Sequence, residues 1–569
     1  MKRICAIFSS LFLLFMADPD ALAQDEHRAL IIPVEFQDLK FIAPAETIDS
    51  LASELSLYFN EQFSRTRKFI FDVAPAVSLG SNHSYYGANA TYKRDALLGK
   101  MAAAVCKSIS NAVDLSLYDN DSDGFVNDVI LLTPGIAESS GGGEDQFWPQ
   151  YLELDEKDIP NGQKVRLSAF AVASELDSTG AVTGIGIMAH EFGHILGLKD
   201  FYDTDAQSSG GMHPGLGHTC LMSYGLENDE GRTPPNLNAI EREMLGIGNC
   251  EILDSSGVFT LEPISRNGRY FRLPSADPDK YYLIENREAL GRDRFIGGEG
   301  MLIYRIDKST TPAGWSTYYQ RTISALERWQ KNQINCNPQH PCAEIMPAVA
   351  DSTDFSKVFW PQAGKTIFNP GTLAITGIRR TGGSEISFSL VEPVHIEGVS
   401  VFQSSAIIAW KVSTELGKID SCKVEWSTQN SLPGRADGVG GEEGRYSFTL
   451  NGLNPRTTYN YRIFVYYDDG SVYDAGGIFT TRIYRSGIFP FIYIGDAIRG
   501  SDGSFRAGTA IPLVVYNCVD GHIDWFFNGR PVSAGGDGLW TIPGSGTLKA
   551  EITHPDGSKD IIIKEIQVK

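Results

Sequence analysis

The stretch that decides the fold is Ile185-Gly186-Ile187-Met188-Ala189-His190-Glu191-Phe192-Gly193-His194-Ile195-Leu196-Gly197-Leu198, followed by Lys199-Asp200. Its apolar residues predict a helix, interrupted only by His190, Glu191 and His194. At 3.6 residues per turn, histidines four apart lie roughly 40° apart on one face, so both imidazoles reach one ion. Glu191 then stands beside that ion. The pattern extends to H-E-x-x-H-x-x-G-x-x-D, in which Gly197 permits a left-handed helix end and Asp200 returns as an oxygen ligand. Three protein ligands with one open position are what a catalytic zinc needs, and the adjacent carboxylate suits a general base. His213 and His218, in the Gly-rich stretch that follows, are rivals for the third position, with Asp200 ranked first.

Working outward, Cys220-Leu221-Met222-Ser223-Tyr224-Gly225 places a Met two residues before a Tyr, which resembles the Met-turn of metzincin zinc peptidases. Tyr224 is expected to bring its hydroxyl near the metal or a developing oxyanion. The run from His190 to Asp203 resembles the signature of the immune inhibitor A family of secreted bacterial metallopeptidases. Asp119–Asp128, Phe147-Trp148-Pro149, Leu221–Gly225, Arg242–Gly246 and Gly300–Asp307 resemble that family in the same order, over roughly 27–392. The resemblance implies a secreted zinc-dependent peptidase with His190, His194 and Asp200 as ligands and Glu191 as general base. Lys199 stands where many relatives have Pro, a change that leaves the ligand in place.

Asp119, Asp121 and Asp123 with Gly124 form a D-x-D-x-D-G run, the front half of a calcium loop. Position twelve is Ile130 rather than Glu, so an EF-hand is disfavoured, with Asn127 or Asp128 as alternative ligands. Asp203 and Asp205 read as a polar loop. His340 is expected to be structural, and His27, His83, His395, His522 and His554 to lie on the surface.

Upstream, Ala29–Val34 reads as a buried strand, and 47–63 and 92–109 as amphipathic helices. After about residue 251 apolar runs such as Tyr281–Ile284 and Met301–Tyr304 alternate with Gly-rich turns, and the region reads as mainly β. Leu453, Pro455, Thr457 and Tyr459 form an L-x-P-x-T-x-Y run that resembles fibronectin type III domains, where the Tyr braces a corner. The last stretch is expected to be an immunoglobulin-like sandwich, with hairpin turns at Asn528-Gly529 and Asp556-Gly557. The fold class expected is therefore multidomain: an α+β zincin- or metzincin-like catalytic domain, a β-rich companion region and two C-terminal β-sandwiches. The boundaries read as 1–23 signal peptide, 24–250 catalytic domain, 251–392 β-rich region continuing the peptidase unit, 393–482 fibronectin type III-like and 483–569 immunoglobulin-like.

The signal peptide rests on Lys2 and Arg3, an apolar stretch from Ile4 to Met16 and Ala21-Leu22-Ala23 as a small-x-small cleavage site. That stretch has 13 residues where a spanning helix needs roughly 20, so no integral membrane segment is expected after cleavage. Only a few residues separate Gln24 from the first strand, so no sizeable pro-segment is expected. Seven cysteines remain, an odd number; Cys336 and Cys342 are the best local disulfide candidates, and no C-x-x-C pair occurs.

With 569 residues the chain has room for three or four domains. A net charge of −21, unchanged by signal removal, excludes a phosphate-backbone footprint, and nucleic acid is not an expected partner. The sequence as a whole thus predicts an exported zinc endopeptidase, secreted, cell-surface or periplasmic, acting on proteins or peptides. Calcium is a candidate structural ion, and the terminal sandwiches are candidate contacts for extracellular proteins or glycans. The alternative is a non-catalytic adhesin that keeps the peptidase fold as a scaffold.

Overall fold

In strand β1 (Asp25–Glu35), Ala29 and Ile31 enter one hydrophobic core while Leu30, Ile32 and Val34 enter another. A strand buried on both faces belongs inside a parallel sheet covered by helices, which is what surrounds it. The computed structural model describes residues 25–64, 66–91, 94–158, 164–350, 354–371, 373–402, 404–428, 433–437, 439–440, 444–482, 490–494, 503–516, 518, 522–535, 539–554 and 559–569. The expected signal peptide and the Asp556-Gly557 turn lie outside these residues.

The sheet runs β2 (Arg67–Val73), β1, β3 (Val129–Ile136), β5 (Arg166–Leu176), with β1 pairing parallel to β2 and β3, and β3 parallel to β5. Strand β4 (Gln150–Asp158) joins β5 antiparallel. Helix α1 (Ala45–Phe63) covers one face with Ile48, Ala52, Leu55, Tyr58 and Phe59. Helix α2 (Leu98–Ile109) covers the other with Leu98, Met101, Ala102, Val105 and Ile109. Helix α2 starts later than periodicity predicts because Asp95 has φ +43°, a conformation no helix continues through.

Helix α3 (Gly186–Ile195) carries the motif and packs on the α1 side. Phe192 is its anchor, fully buried with ring centroids 4.7 Å from Phe71 and 5.0 Å from Phe59. Burial of that ring is worth about 2–3 kcal/mol. Helix α4 (Ala239–Leu245) opens on a capping box between Asn238 and Glu241. Beyond it, β6 (Arg269–Pro274), β7 (Lys280–Arg287) and β8 (Gly300–Asp307) form an antiparallel sheet flanked by Asn249–Ile252 and Ala343–Ile345. The region is mainly β, as expected, and includes the short helix α5 (Ala325–Gln330).

The chain divides into two compact units: 1–254 with 260–365 and 379–387, and 255–259 with 366–378 and 388–569. The second holds paired sheets built from β9 (Val394–Val401), β10 (Ser405–Val412) and β12 (Arg445–Asn451) on one side, and β11 (Ile419–Ser427), β13 (Thr458–Tyr467) and β14 (Val472–Thr480) on the other. Alternating Ile408, Trp410, Val424, Ile463 and Val465 fill the space between them. The Tyr459 hydroxyl accepts the Asn454 N–H at 2.9 Å, the corner brace its sequence context predicts. In the remaining strands, Phe527 pairs with Arg530 across Asn528 (φ +48°) and Gly529 (φ +75°), the two left-handed residues of a type I′ hairpin.

Candidate metal centre and cleft

Helix α3 ends in a Schellman motif: Leu198 N–H donates to Gly193 O and Gly197 N–H to His194 O, with Gly197 at φ +100°. This turn reverses the chain so that Asp200 comes back over the histidine face. Asp200 Oδ1 lies 3.2 Å from both His190 Nε2 and His194 Nε2. Each imidazole is oriented from behind. His190 Nδ1 pairs with Leu221 O at 3.1 Å and His194 Nδ1 with Leu198 O at 3.0 Å, which leaves both Nε2 atoms facing one point.

The donor set fits a divalent metal. The two nitrogens and the carboxylate oxygen lie within 4.8 Å of one another, Asp200 Oδ1 is buried with no well-formed hydrogen bond, and Glu191 Oε2 beside it is equally unpartnered. Burial opposes ionisation of Asp200, but contact with His190 and His194 outweighs it and holds the carboxyl far below its ordinary range. Burial also opposes charge on His190, and its neighbours Asp200 and Glu191 outweigh it, pushing the imidazole up to about 9. For Glu191, burial dominates and raises the carboxyl, with the two histidines opposing.

Met222 is fully buried beneath the helix: a Cβ on Gly193 would sit 2.7 Å from its Sδ. Its N–H donates to Glu241 Oε1, and its carbonyl accepts from Phe201 N–H. Tyr224 is 37% exposed and faces a cleft of about 660 Å³ lined also by Trp148, Pro149, His190, Glu191 and Tyr202. Tyr202, which sequence reasoning overlooked, stacks at 6.2 Å on His190 and stands 6.4 Å from the Tyr224 ring.

The rivals for the third position are committed elsewhere. His213 is buried and accepts the Gly215 N–H, burial pushing it down to about 4, while His218 pairs with Asn228. Asp119, Asp121 and Asp123 do converge, their oxygens within 4.8 Å of one another, and they accept loop N–H groups from Asp123, Gly124 and Phe125. Asp128 does not join them; it turns inward to His27 at 2.9 Å and Asn120 at 2.7 Å. His27, expected on the surface, is therefore a half-buried partner packed on Phe69. Cys336 and Cys342, the local disulfide candidates, do not bridge, and Cys336 bonds instead with Thr204 Oγ1 at 3.1 Å.

Two residues without any sequence signal support the centre. Asn332 bonds to Asp200 twice. Fully buried Arg287 pairs with Glu285 and Asp293 and donates to Thr219 O and Asn236 O, bracing the segment around Met222 from strand β7.

A buried His-His-Asp site with an adjacent carboxylate stands on a helix packed against a mostly parallel sheet, an arrangement that fits a metallopeptidase catalytic domain. Residues 32–245 match the Immune inhibitor A peptidase M6 catalytic domain, and 391–476 match the fibronectin type III domain. Immune inhibitor A of Bacillus thuringiensis subsp. alesti is 26% identical over 250 residues, 35% of this chain and 36% of that protein. Pre-pro-metalloprotease PrtV of Vibrio cholerae serotype O1 is 22% identical over 203 residues, 31% of this chain and 22% of that protein. The chain therefore spans about a third or less of the relatives it matches. A solved fn3 domain of human collagen alpha-1(XX) chain aligns with 17% of this chain and 88% of its own length, at 23% identity and TM-score 0.15.

Proposed function

We propose that this protein is an exported zinc-dependent endopeptidase in which His190, His194 and Asp200 hold the metal and Glu191 is the general base. The observation that carries the reading is the pair of 3.2 Å approaches of Asp200 Oδ1 to the two histidine Nε2 atoms beside the unpartnered Glu191 Oε2. Zinc bound there supplies Lewis-acid polarisation of a water and of the scissile carbonyl. Glu191 Oε2, its proton affinity raised by burial, takes a proton from the attacking water and delivers it to the leaving amine nitrogen. Tyr224, which lines the cleft, donates its hydroxyl to the developing oxyanion. Among the described residues β4 pairs only with β5, and Tyr151 on it lies 6.5 Å from the His194 ring. An extended substrate adding to that edge passes the metal centre.

The same proposal includes structural calcium at Asp119, Asp121 and Asp123, and the domain limits 24–250, 251–392, 393–482 and 483–569. The C-terminal domains serve as contacts for extracellular proteins or glycans. Export is supported by the N-terminal signal, and no helix among the described residues is long and apolar enough to cross a membrane.

The test is bound zinc per chain together with casein or gelatin hydrolysis by the wild type and Glu191→Ala. Loss of the base is expected to lower kcat by about 10²–10⁴ with zinc retained. Equal activity in the two proteins would sink the mechanism, and zinc without hydrolysis of a broad protein panel would favour the adhesin reading.

A further inference from the structure

Asp200 is gripped on two sides by one side chain. Its backbone N–H donates to Asn332 Oδ1 at 2.7 Å, and its Oδ2 accepts from Asn332 Nδ2 at 2.7 Å, across 132 residues of sequence. The chemistry fixes which way the amide points, because a backbone N–H requires an oxygen and a carboxylate requires a donor. With Oδ2 occupied, Oδ1 is the oxygen left to face His190 and His194, and it is the buried oxygen that lacks a hydrogen bond.

We propose that Asn332 is a positioning residue for the metal site, setting the rotation of the Asp200 carboxylate so that Oδ1 completes the ligand set. The inference rests on the reading that His190, His194 and Asp200 hold the metal. Three further observations support it. Asn332 has φ +54°, a left-handed conformation that Asn tolerates better than most side chains, so the residue type suits the backbone as well as the contact. Its carbonyl accepts from Thr204 Oγ1 at 3.2 Å, and Asn335 Nδ2 donates to Phe201 O at 2.9 Å, so the same short segment holds the loop on both sides of the ligand. Further along that loop, Ser209 Oγ accepts the Thr317 N–H at 2.9 Å. The third ligand is therefore shaped by a segment of the β-rich region, remote in sequence from the helix that supplies the other two.

Outer partners of metal ligands typically change affinity 10–100-fold when lost. The experiment measures zinc dissociation constants of the full chain by competition with a chromophoric chelator, for Asn332→Asp in the wild-type and Asp200→Ala backgrounds. Asn332→Asp keeps the size and the backbone preference while replacing the donor with an anion. The expected result is a dissociation constant about 10–100-fold weaker in the wild-type background and within about twofold in Asp200→Ala. Cobalt(II) absorption, which reads ligand geometry directly, is expected to shift in Asn332→Asp. Asn332→Ser, which removes the grip without adding charge, repeats the comparison where the aspartate variant does not fold. An unchanged zinc affinity, or an equal loss in both backgrounds, overturns the proposal. A wild-type chain that binds no zinc overturns the metal-site reading itself.

Discussion

Asp95 is another buried carboxylate whose ionisation the fold opposes. It is fully buried; Oδ2 accepts from Trp148 N–H at 3.0 Å and Gln150 Nε2 at 2.7 Å, while Oδ1 has no hydrogen bond. Burial, with help from the charge of Glu138, pushes it up to about 6 against the opposing pull of its donors and of Arg94. A carboxyl raised in the folded state favours folding while protonated, so its contribution is full below its ordinary value near 3.8 and is lost as pH rises through about 6. The loss is on the order of 3 kcal/mol. Asn89 holds the Asp95 backbone and also donates to Glu138, so one side chain bridges the two residues. Asp95→Asn, which cannot ionise, is expected to flatten the fall in stability between pH 4 and 7, read by urea unfolding at each pH. Identical pH profiles for variant and wild type would assign the effect to another group. Because Asp95 holds the amide of Trp148, on which the Arg94 guanidinium stacks at 3.6 Å, the same carboxyl shapes one wall of the cleft.

Elements were legible in proportion to how local their causes are. The metal helix declared itself through a 3.6-residue period, two histidines four apart and Gly197 where a left-handed residue ends the turn. The Asn528-Gly529 hairpin and the Tyr459 corner were similarly readable, because the residue that requires the conformation sits in the conformation. Asn332 and Arg287 could not be read this way. Their partners lie 132 residues away for Asn332 and 68 for the Thr219 carbonyl bound by Arg287, and nothing in a local period marks which distant carboxylate or carbonyl they meet. The Cys336 and Cys342 pairing failed for the opposite reason: proximity in sequence suggested a bridge, but packing sends Cys336 to Thr204 instead. The end of helix α3 gives a direct test of the local part. At φ +100° Gly197 has open space around a would-be Cβ, so Gly197→Ala meets backbone strain rather than a clash. The cost is about 1–2 kcal/mol. A lower melting temperature together with weaker zinc binding is expected, since relaxing the turn displaces Asp200. A variant with wild-type melting and zinc affinity would show that the Schellman turn does not set the ligand.

At the scale of the molecule, the charge of −21 says little about substrate, but the division into two compact units says where metal can act. All three proposed ligands, Glu191, Asn332 and the Arg287 network fall within the first unit. That unit buries charge in quantity: Arg287, Glu285 and Asp293 are essentially without exposure, and Glu285 also accepts from Ala239 N–H and Tyr304 Oη. Such a network destabilises strongly when one partner is lost, which ties the Met222 segment to the sheet of β6 to β8 as one cooperative body. The second unit has its own cores, around Trp410 and around Trp540, and contains no proposed zinc ligand. A ligand that binds only the folded first unit stabilises that unit by RT ln(1 + [L]/Kd), about 2.7 kcal/mol at a hundredfold excess over Kd. Scanning calorimetry of the full chain is therefore expected to show one transition that falls when zinc is removed with a chelator and returns when zinc is restored, while the transition of the second unit stays in place. A chelator that lowers both transitions equally, or neither, contradicts a metal confined to the first unit and bound there at stabilising strength.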